Sequence, residues 1–133
     1  DKGVANVSFF GMVDKKEKLL FRHQLIADKI EIPKKNYPNS FVGTELDTLL
    51  KKAGIQNLIL AGFMSHMCVN STARGAFSLG YRATVVAAAT ATRSLPLKAT
   101  GEVIPASQVH SAALAALSDL PAAVVGSSAN VPD

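Results

Sequence analysis

From Thr44 onward the chain alternates short continuous apolar runs with stretches whose apolar residues recur at helical spacing, and this alternation limits the fold more than any other feature. Leu58-Ile59-Leu60-Ala61 predicts a buried strand, Cys68 to Leu79 a helix closed by Gly80, and Ala83 to Ala88 a second buried strand. Ahead of them, Thr44 with Asp47 three residues on resembles a capping box. Leu46, Leu49 and Leu50 share one helical face there, and Gly54 supplies a stop. Pro105 opens a further helix with Val109, Ala113, Leu114 and Leu117 on its apolar side, and Ala122 to Val125 predicts a last strand. Continuous apolar strands separated by helices imply an α/β fold, a parallel sheet covered by helices, with ligands gathering at the carboxyl ends of the strands.

The first thirty residues are the least regular. Val7 to Phe10 is short and apolar, Asp14 to Lys18 reads as a charged turn, and Ile30-Glu31-Ile32 as a short strand limited by Pro33. Thr90 to Gly101 reads as a loop and Ser127 to Asp133 as a polar tail. At 133 residues, with 48% hydrophobic and 18% charged content, the chain fits one globular domain. The net charge of +4 comes from scattered residues such as Lys34-Lys35 and Lys51-Lys52, with two tyrosines and no tryptophan, so a solvated face is expected rather than a nucleic-acid surface. No apolar run approaches the length that crosses a bilayer and no charged leader opens the sequence, so no membrane association is expected. One cysteine excludes an intramolecular disulfide and suits a reducing interior, which makes the cytoplasm the expected location.

That cysteine, Cys68, follows the predicted strand directly and opens the predicted helix. A residue on such a turn projects from the carboxyl end of the sheet, where the free N–H groups and positive dipole end of the helix favour an anion. For a cysteine the favoured anion is the reactive thiolate. The same residue is also explained as a small buried hydrophobe, and position alone leaves both readings open. His23, His66 and His110 are far apart in sequence and no Cys/His pair has zinc-finger spacing, so no metal is expected. His66, two residues before Cys68, is either its base or an exposed loop histidine, and His110 reads as a helix-surface or core-edge residue. No glycine-rich phosphate loop follows a strand, and no cofactor is expected. Phe9, Phe10, Tyr37, Phe41, Phe63 and Met64 are candidates to line an apolar pocket, and simple packing explains each equally well.

Several segments together resemble the isochorismatase-like cysteine hydrolases. They are Lys35-Asn36-Tyr37-Pro38-Asn39-Ser40-Phe41-Val42-Gly43-Thr44-Glu45-Leu46, Gly62 to Val69, Thr72-Ala73-Arg74-Gly75-Ala76, Gly80-Tyr81-Arg82, Thr90-Ala91-Thr92-Arg93 and Val109-His110. The resemblance covers most of the chain with its pieces in the family's order. It implies a three-layer α/β/α fold around a mainly parallel sheet, and chemistry by an aspartate, a lysine and a cysteine. Cys68 matches the nucleophile. Lys35 matches the lysine because it stands six residues before Phe41, with Lys34 one residue out of register. An ammonium near the sulfur would stabilise the thiolate for attack on a carbonyl carbon. The resemblance also implies a cis peptide between Phe63 and Met64, with the Met64 and Cys68 N–H groups forming an oxyanion hole.

Two departures accompany it. The family's aspartate ends its first strand, in an apolar run followed by Asp, and Asp1, Asp14 and Asp28 match that form poorly. The expectation is therefore a single domain, 1–133, lacking the family's first strands, with the loss leaving an unpaired apolar sheet edge. Ala88 stands where many members carry an aspartate, which reads as a local structural difference. For the intact protein the resemblance implies hydrolysis of a small-molecule amide, ureido compound or related C–N bond, in preference to isochorismate. It also implies a homo-oligomer. The rival readings are a non-catalytic member kept for ligand binding or assembly, and a redox-sensing thiol.

Overall fold

The computed structural model describes residues 4–9, for which the backbone is described, and 35–131. The expectations for Asp14 to Lys18, for Ile30 to Ile32 and for Phe10, His23, Asp14 and Asp28 lie outside the described residues, and that for Phe9 lies outside the described side chains. In chain order the elements are β1 (Val4–Phe9), α1 (Leu46–Lys52), β2 (Asn57–Phe63), a π-helical turn (Ser65–Val69), α2 (Asn70–Ser78), β3 (Arg82–Ala91), β4 (Leu95–Pro96), β5 (Val103–Ile104), α3 (Ala106–Ser118) and β6 (Ala123–Val125). Four strands form one sheet in the order β1-β2-β3-β6, and every neighbouring pair is parallel. The loop expected over Thr90 to Gly101 contains the β4 strand, which pairs antiparallel with β5 in a small hairpin.

The sheet positions the site through its two central strands. Leu58 pairs with Ala83 and Leu60 with Val85, so these four side chains share one face of the sheet. Against that face pack Leu46 and Leu50 of α1, Val69 of the turn, Ala73 and Ala76 of α2 and Leu117 of α3, in one buried cluster. The α/β architecture is therefore present with a single helical layer among the described residues, while Ile59 and Ala61 on the other face are half-buried. The expected unpaired edge beside β2 is filled. β1 runs parallel to it in the register Val4 to Asn57 through Phe9 to Gly62, which satisfies backbone groups that a bare edge would leave open.

Both glycine stops work by the same device. Gly54 (φ +68°) donates its N–H to Lys51 O at 3.0 Å while Ile55 N donates to Leu50 O at 3.0 Å. Gly80 (φ +86°) repeats it, with Gly80 N to Phe77 O and Tyr81 N to Ala76 O, both at 3.0 Å. In each case the residue after the glycine and its carbonyl partner are buried together, the contact that accompanies this helix ending. The start of α1 differs from the capping box expected at Thr44 and Asp47. The helix begins at Leu46 without a side-chain cap on Glu45, and Thr44 Oγ1 accepts from Leu46 N at 3.3 Å while donating to Ser40 O. Asp47 is taken elsewhere: it accepts from Lys51 Nζ at 2.7 Å and from Tyr81 Oη at 2.8 Å. The lysine bond, then the tyrosine bond, hold the Asp47 carboxyl below its ordinary range, and burial followed by the Asp47 bond pushes the Tyr81 phenol well above its own.

The segment before α1 is docked onto α2 by one hydroxyl. Thr72 Oγ1 accepts from Ser40 N at 3.1 Å and lies 3.3 Å from both Pro38 O and Ser40 Oγ, and Thr72 and Ser40 are fully buried. Beside it, the Asn39 amide sits against Gly75, where an added Cβ would fall 2.5 Å from Asn39 Nδ2. Replacing Thr72 by valine keeps the shape and strands the buried Ser40 N–H, so urea unfolding is expected to show a loss of about 1–3 kcal/mol. Gly80→Ala forces a side chain into the left-handed region and is expected to lower stability by about 1 kcal/mol in the same measurement.

Candidate active site

β2 delivers the chain to the carboxyl edge of the sheet, where Gly62 is buried and the Phe63–Met64 peptide bond is cis. Met64 is still extended, and the chain then tightens into the π-helical turn, whose first and last residues, Ser65 and Val69, are buried. Met64 O accepts from Met67 N at 2.9 Å and from Val69 N at 3.3 Å, the second being the wide bond that defines the turn. Cys68, a free thiol, lies inside this turn and two residues ahead of α2, instead of opening the helix as the sequence predicted. It is half-buried between the anchoring Val69 and the exposed Met67. The positive end of α2 adjoins it.

Lys35 reaches the same helix through a shared acceptor. Its Nζ donates to Pro38 O at 2.7 Å, the oxygen that lies 3.3 Å from Thr72 Oγ1. Thr72 stands four residues after Cys68, one helical turn on, so the lysine segment is fastened to the side of the helical segment that carries the sulfur. Tyr37 is largely exposed beside this segment, and Phe63 is exposed at the end of β2. Phe41 goes elsewhere: its ring stacks on Tyr81 with centroids 5.6 Å apart and planes at 19°, against the buried cluster. Tyr81 precedes β3, at the opposite end of that strand from Ala91, which pairs with Phe63. The stacked pair is held by the buried cluster, which gives the Phe41 ring a packing role.

Three features around the turn were not legible in the sequence. His110 Nδ1 lies 2.9 Å from the hydroxyl of the fully buried Ser65. His66 Nδ1 bonds Thr92 Oγ1 just past β3, and burial, followed by the charge of Arg93, lowers the His66 pKa and favours the neutral ring. A polar seam then joins α2 to α3: Asn70 Nδ2 donates to Ala113 O at 3.4 Å, Arg74 Nη2 to Ala116 O at 3.3 Å, and Arg74 Nε to Asn70 Oδ1 at 2.8 Å. The signal available for His110 was its place among the apolar positions of α3, which marks an inward-facing polar group without naming its partner.

At Ala88 the strand pairing changes. Between Leu60 and Gly62 the partner on β3 moves from Val85 to Thr90, and Ala88 N donates to Gly126 O at 3.1 Å. β1 ends at Phe9 opposite Gly62, and Phe10 follows it, so an aspartate does not stand at that point. Among the described residues no three His, Cys, Asp or Glu side chains gather to hold a metal ion, and no helix is long and apolar enough to cross a membrane. A cavity of about 520 Å³ opens beside the turn, bounded by His66, Asn70, Leu97, Ile104 and Gln108. Another of about 630 Å³ lies near Asn57, Arg82 and Leu120, where β2 and β3 begin, far along the strands from the sulfur.

The family described as Isochorismatase domain matches residues 21–129. An uncharacterized isochorismatase family protein of Bacillus subtilis, YddQ, is 41% identical over 90 residues, which are 68% of this chain and 49% of that protein. The ureidoacrylate amidohydrolase RutB of Serratia proteamaculans is 42% identical over 64 residues, 48% of this chain and 25% of the enzyme. Among solved structures, an isochorismatase from Pseudomonas putida superposes with a TM-score of 0.75 at 34% identity, over 96% of this chain and 68% of that one. The chain thus spans half or less of the length of these curated relatives. With the domain match running through the Lys35 segment, the cysteine turn and α3, this chain belongs to the isochorismatase family.

Proposed function

We propose that the intact protein is a cysteine hydrolase that cleaves an amide or related C–N bond of a small molecule, with Cys68 as nucleophile and Lys35 as its cationic partner. The observation that carries this reading is the Pro38 carbonyl shared by Lys35 Nζ and Thr72 Oγ1, which ties the ammonium to the helical segment bearing the sulfur. The similarity to an enzyme named as an amidohydrolase favours amides as the substrate class.

In the proposed reaction the Cys68 sulfur attacks the carbonyl carbon, and the oxygen takes negative charge facing the Met64 and Cys68 N–H groups. The C–N bond then breaks, the amine leaves with a proton, and an acyl thioester remains on Cys68. Water attacks this thioester, releasing the acid and restoring the thiol. The reaction needs a carboxylate to take the thiol proton and pass it to the amine. Since Phe10 follows β1 in place of an aspartate, that group is assigned outside the described residues. Lys35 stabilises the thiolate by charge, and its bond to a backbone carbonyl holds the ammonium in place. Tyr37 and Phe63 supply exposed aromatic surface for the substrate's apolar part, whereas Phe41 serves the core. The proposal includes self-association, supported by the exposed Leu97 and Val103 around the β4–β5 hairpin.

The test is hydrolysis of a panel of small amides and ureido compounds by the intact protein. Cys68→Ala is expected to abolish turnover, and Lys35→Ala to lower kcat by roughly 10²-fold or more. Thermal melting should confirm that both variants remain folded. Turnover that survives Cys68→Ala would overturn the nucleophile. A folded protein that binds panel compounds without turning any over would favour the ligand-binding reading instead.

A further inference from the structure

We infer that His110 is a positioning residue for the cysteine turn, acting through Ser65. The inference rests on the hydrolase reading for its catalytic consequence and on the geometry of the turn for everything else. Ser65 is the first residue of the π-helical turn and stands between Met64 and Cys68, whose N–H groups are the proposed oxyanion donors. Its hydroxyl is fully buried, so an unmade hydrogen bond there would cost far more than at the surface. The partner is His110 Nδ1 at 2.9 Å, delivered from 45 residues further along the chain. Whichever of the two groups carries the proton, the bond links the start of the turn to α3.

His110 also occupies one end of a ladder. Residues 110, 113 and 116 recur every three positions along α3 and contact Ser65, Asn70 and Arg74 in turn. The last two contacts use α3 carbonyls and fix the helices to each other. The first uses a side chain and fixes the turn, with Cys68 between the two anchors. A second side chain of the turn, His66, bonds Thr92 just past β3 and borders the same cavity as Gln108 and Val109 of α3. The sulfur therefore sits on a segment held from α3 and from the strand β3, and its orientation toward a carbonyl carbon depends on those bonds. A displacement near 1 Å in such a group is enough to cost roughly 10²-fold in rate.

The decisive experiment compares Ser65→Ala, His110→Leu and His110→Asn in the intact protein. Asparagine places an amide atom close to where Nδ1 stands, so it keeps the reach to Ser65 that leucine loses. Two readouts are used: kcat and KM on whichever panel amide is turned over, and the rate of Cys68 alkylation by iodoacetamide at fixed pH. Ser65→Ala and His110→Leu are expected to lower kcat roughly 10- to 100-fold with KM little changed, and to slow alkylation about tenfold. His110→Asn is expected to recover most of both. Unchanged alkylation and kcat in the folded Ser65→Ala variant, or equal losses in His110→Asn and His110→Leu, would overturn the inference. Should His110→Leu fail to fold, Ser65→Ala decides alone, because it removes a single hydroxyl. Alkylation needs no substrate, so this inference is judged even where the amide panel refutes the hydrolase reading.

Discussion

The Thr72 hydroxyl is the point on which the site's assembly turns. It receives the Ser40 N–H and sits against the Pro38 and Ser40 oxygens in a fully buried position, where an unmatched polar group costs about 1–3 kcal/mol. The segment it captures has no regular secondary structure to hold it, so its backbone groups depend on such side-chain partners. Lys35 inherits its place from that capture. The close seating of Asn39 on Gly75 shows the same requirement in steric form, because the segment lies nearer the helix there than a side chain at position 75 would allow.

Apolar packing and polar contacts divide the remaining work. The cluster of leucines, valines and alanines fixes α1, α2 and α3 against one face of the sheet, and it is tolerant of small rotations because apolar contact has little direction. Direction comes from the hydrogen bonds at the rim: Ser65 with His110, His66 with Thr92, and the Asn70 and Arg74 contacts to α3 carbonyls. The core thus brings the turn to the sheet's edge, and the polar bonds set which way it faces.

Much of this was legible in the sequence where the signal is local. Leu46 and Leu50 mark a buried helical face, Gly54 and Gly80 mark helix ends, and Leu58 to Ala61 marks a strand. The strands proved longer than their apolar runs, β2 reaching Phe63 and β3 reaching Ala91, because parallel pairing is made by backbone groups whatever the side chain. β1 was marked only in part, by the short apolar run from Val7, because Asn6 breaks the pattern ahead of it. The π-helical turn was hidden too: Ser65 offers a helix-start residue, but the cap position falls on Met64 and the Ser65 hydroxyl is taken by His110. Cys68 and Lys35 were found by family resemblance rather than by physics alone. The bond between Ser65 and His110, like the stacking of Phe41 on Tyr81, depends on distant pieces meeting, and no local pattern encodes that.

The slip in pairing along β3 gives the molecule a mechanical separation. Two steps along β2, from Leu60 to Gly62, correspond to five along β3, from Val85 to Thr90, and the surplus is looped out at Ala87 to Ala89, where Ala88 and Ala89 face solvent. Upstream of the slip the strands are locked together by the buried cluster; downstream they carry Thr90 and the approach to Thr92. The bulged portion stays tied to the far side of the sheet through Ala88 N and Gly126 O, while Ala83 and Val85 keep their register with β2. The slip thus sets where the rim carrying Thr92 meets His66, separately from the foundation that the buried cluster fixes.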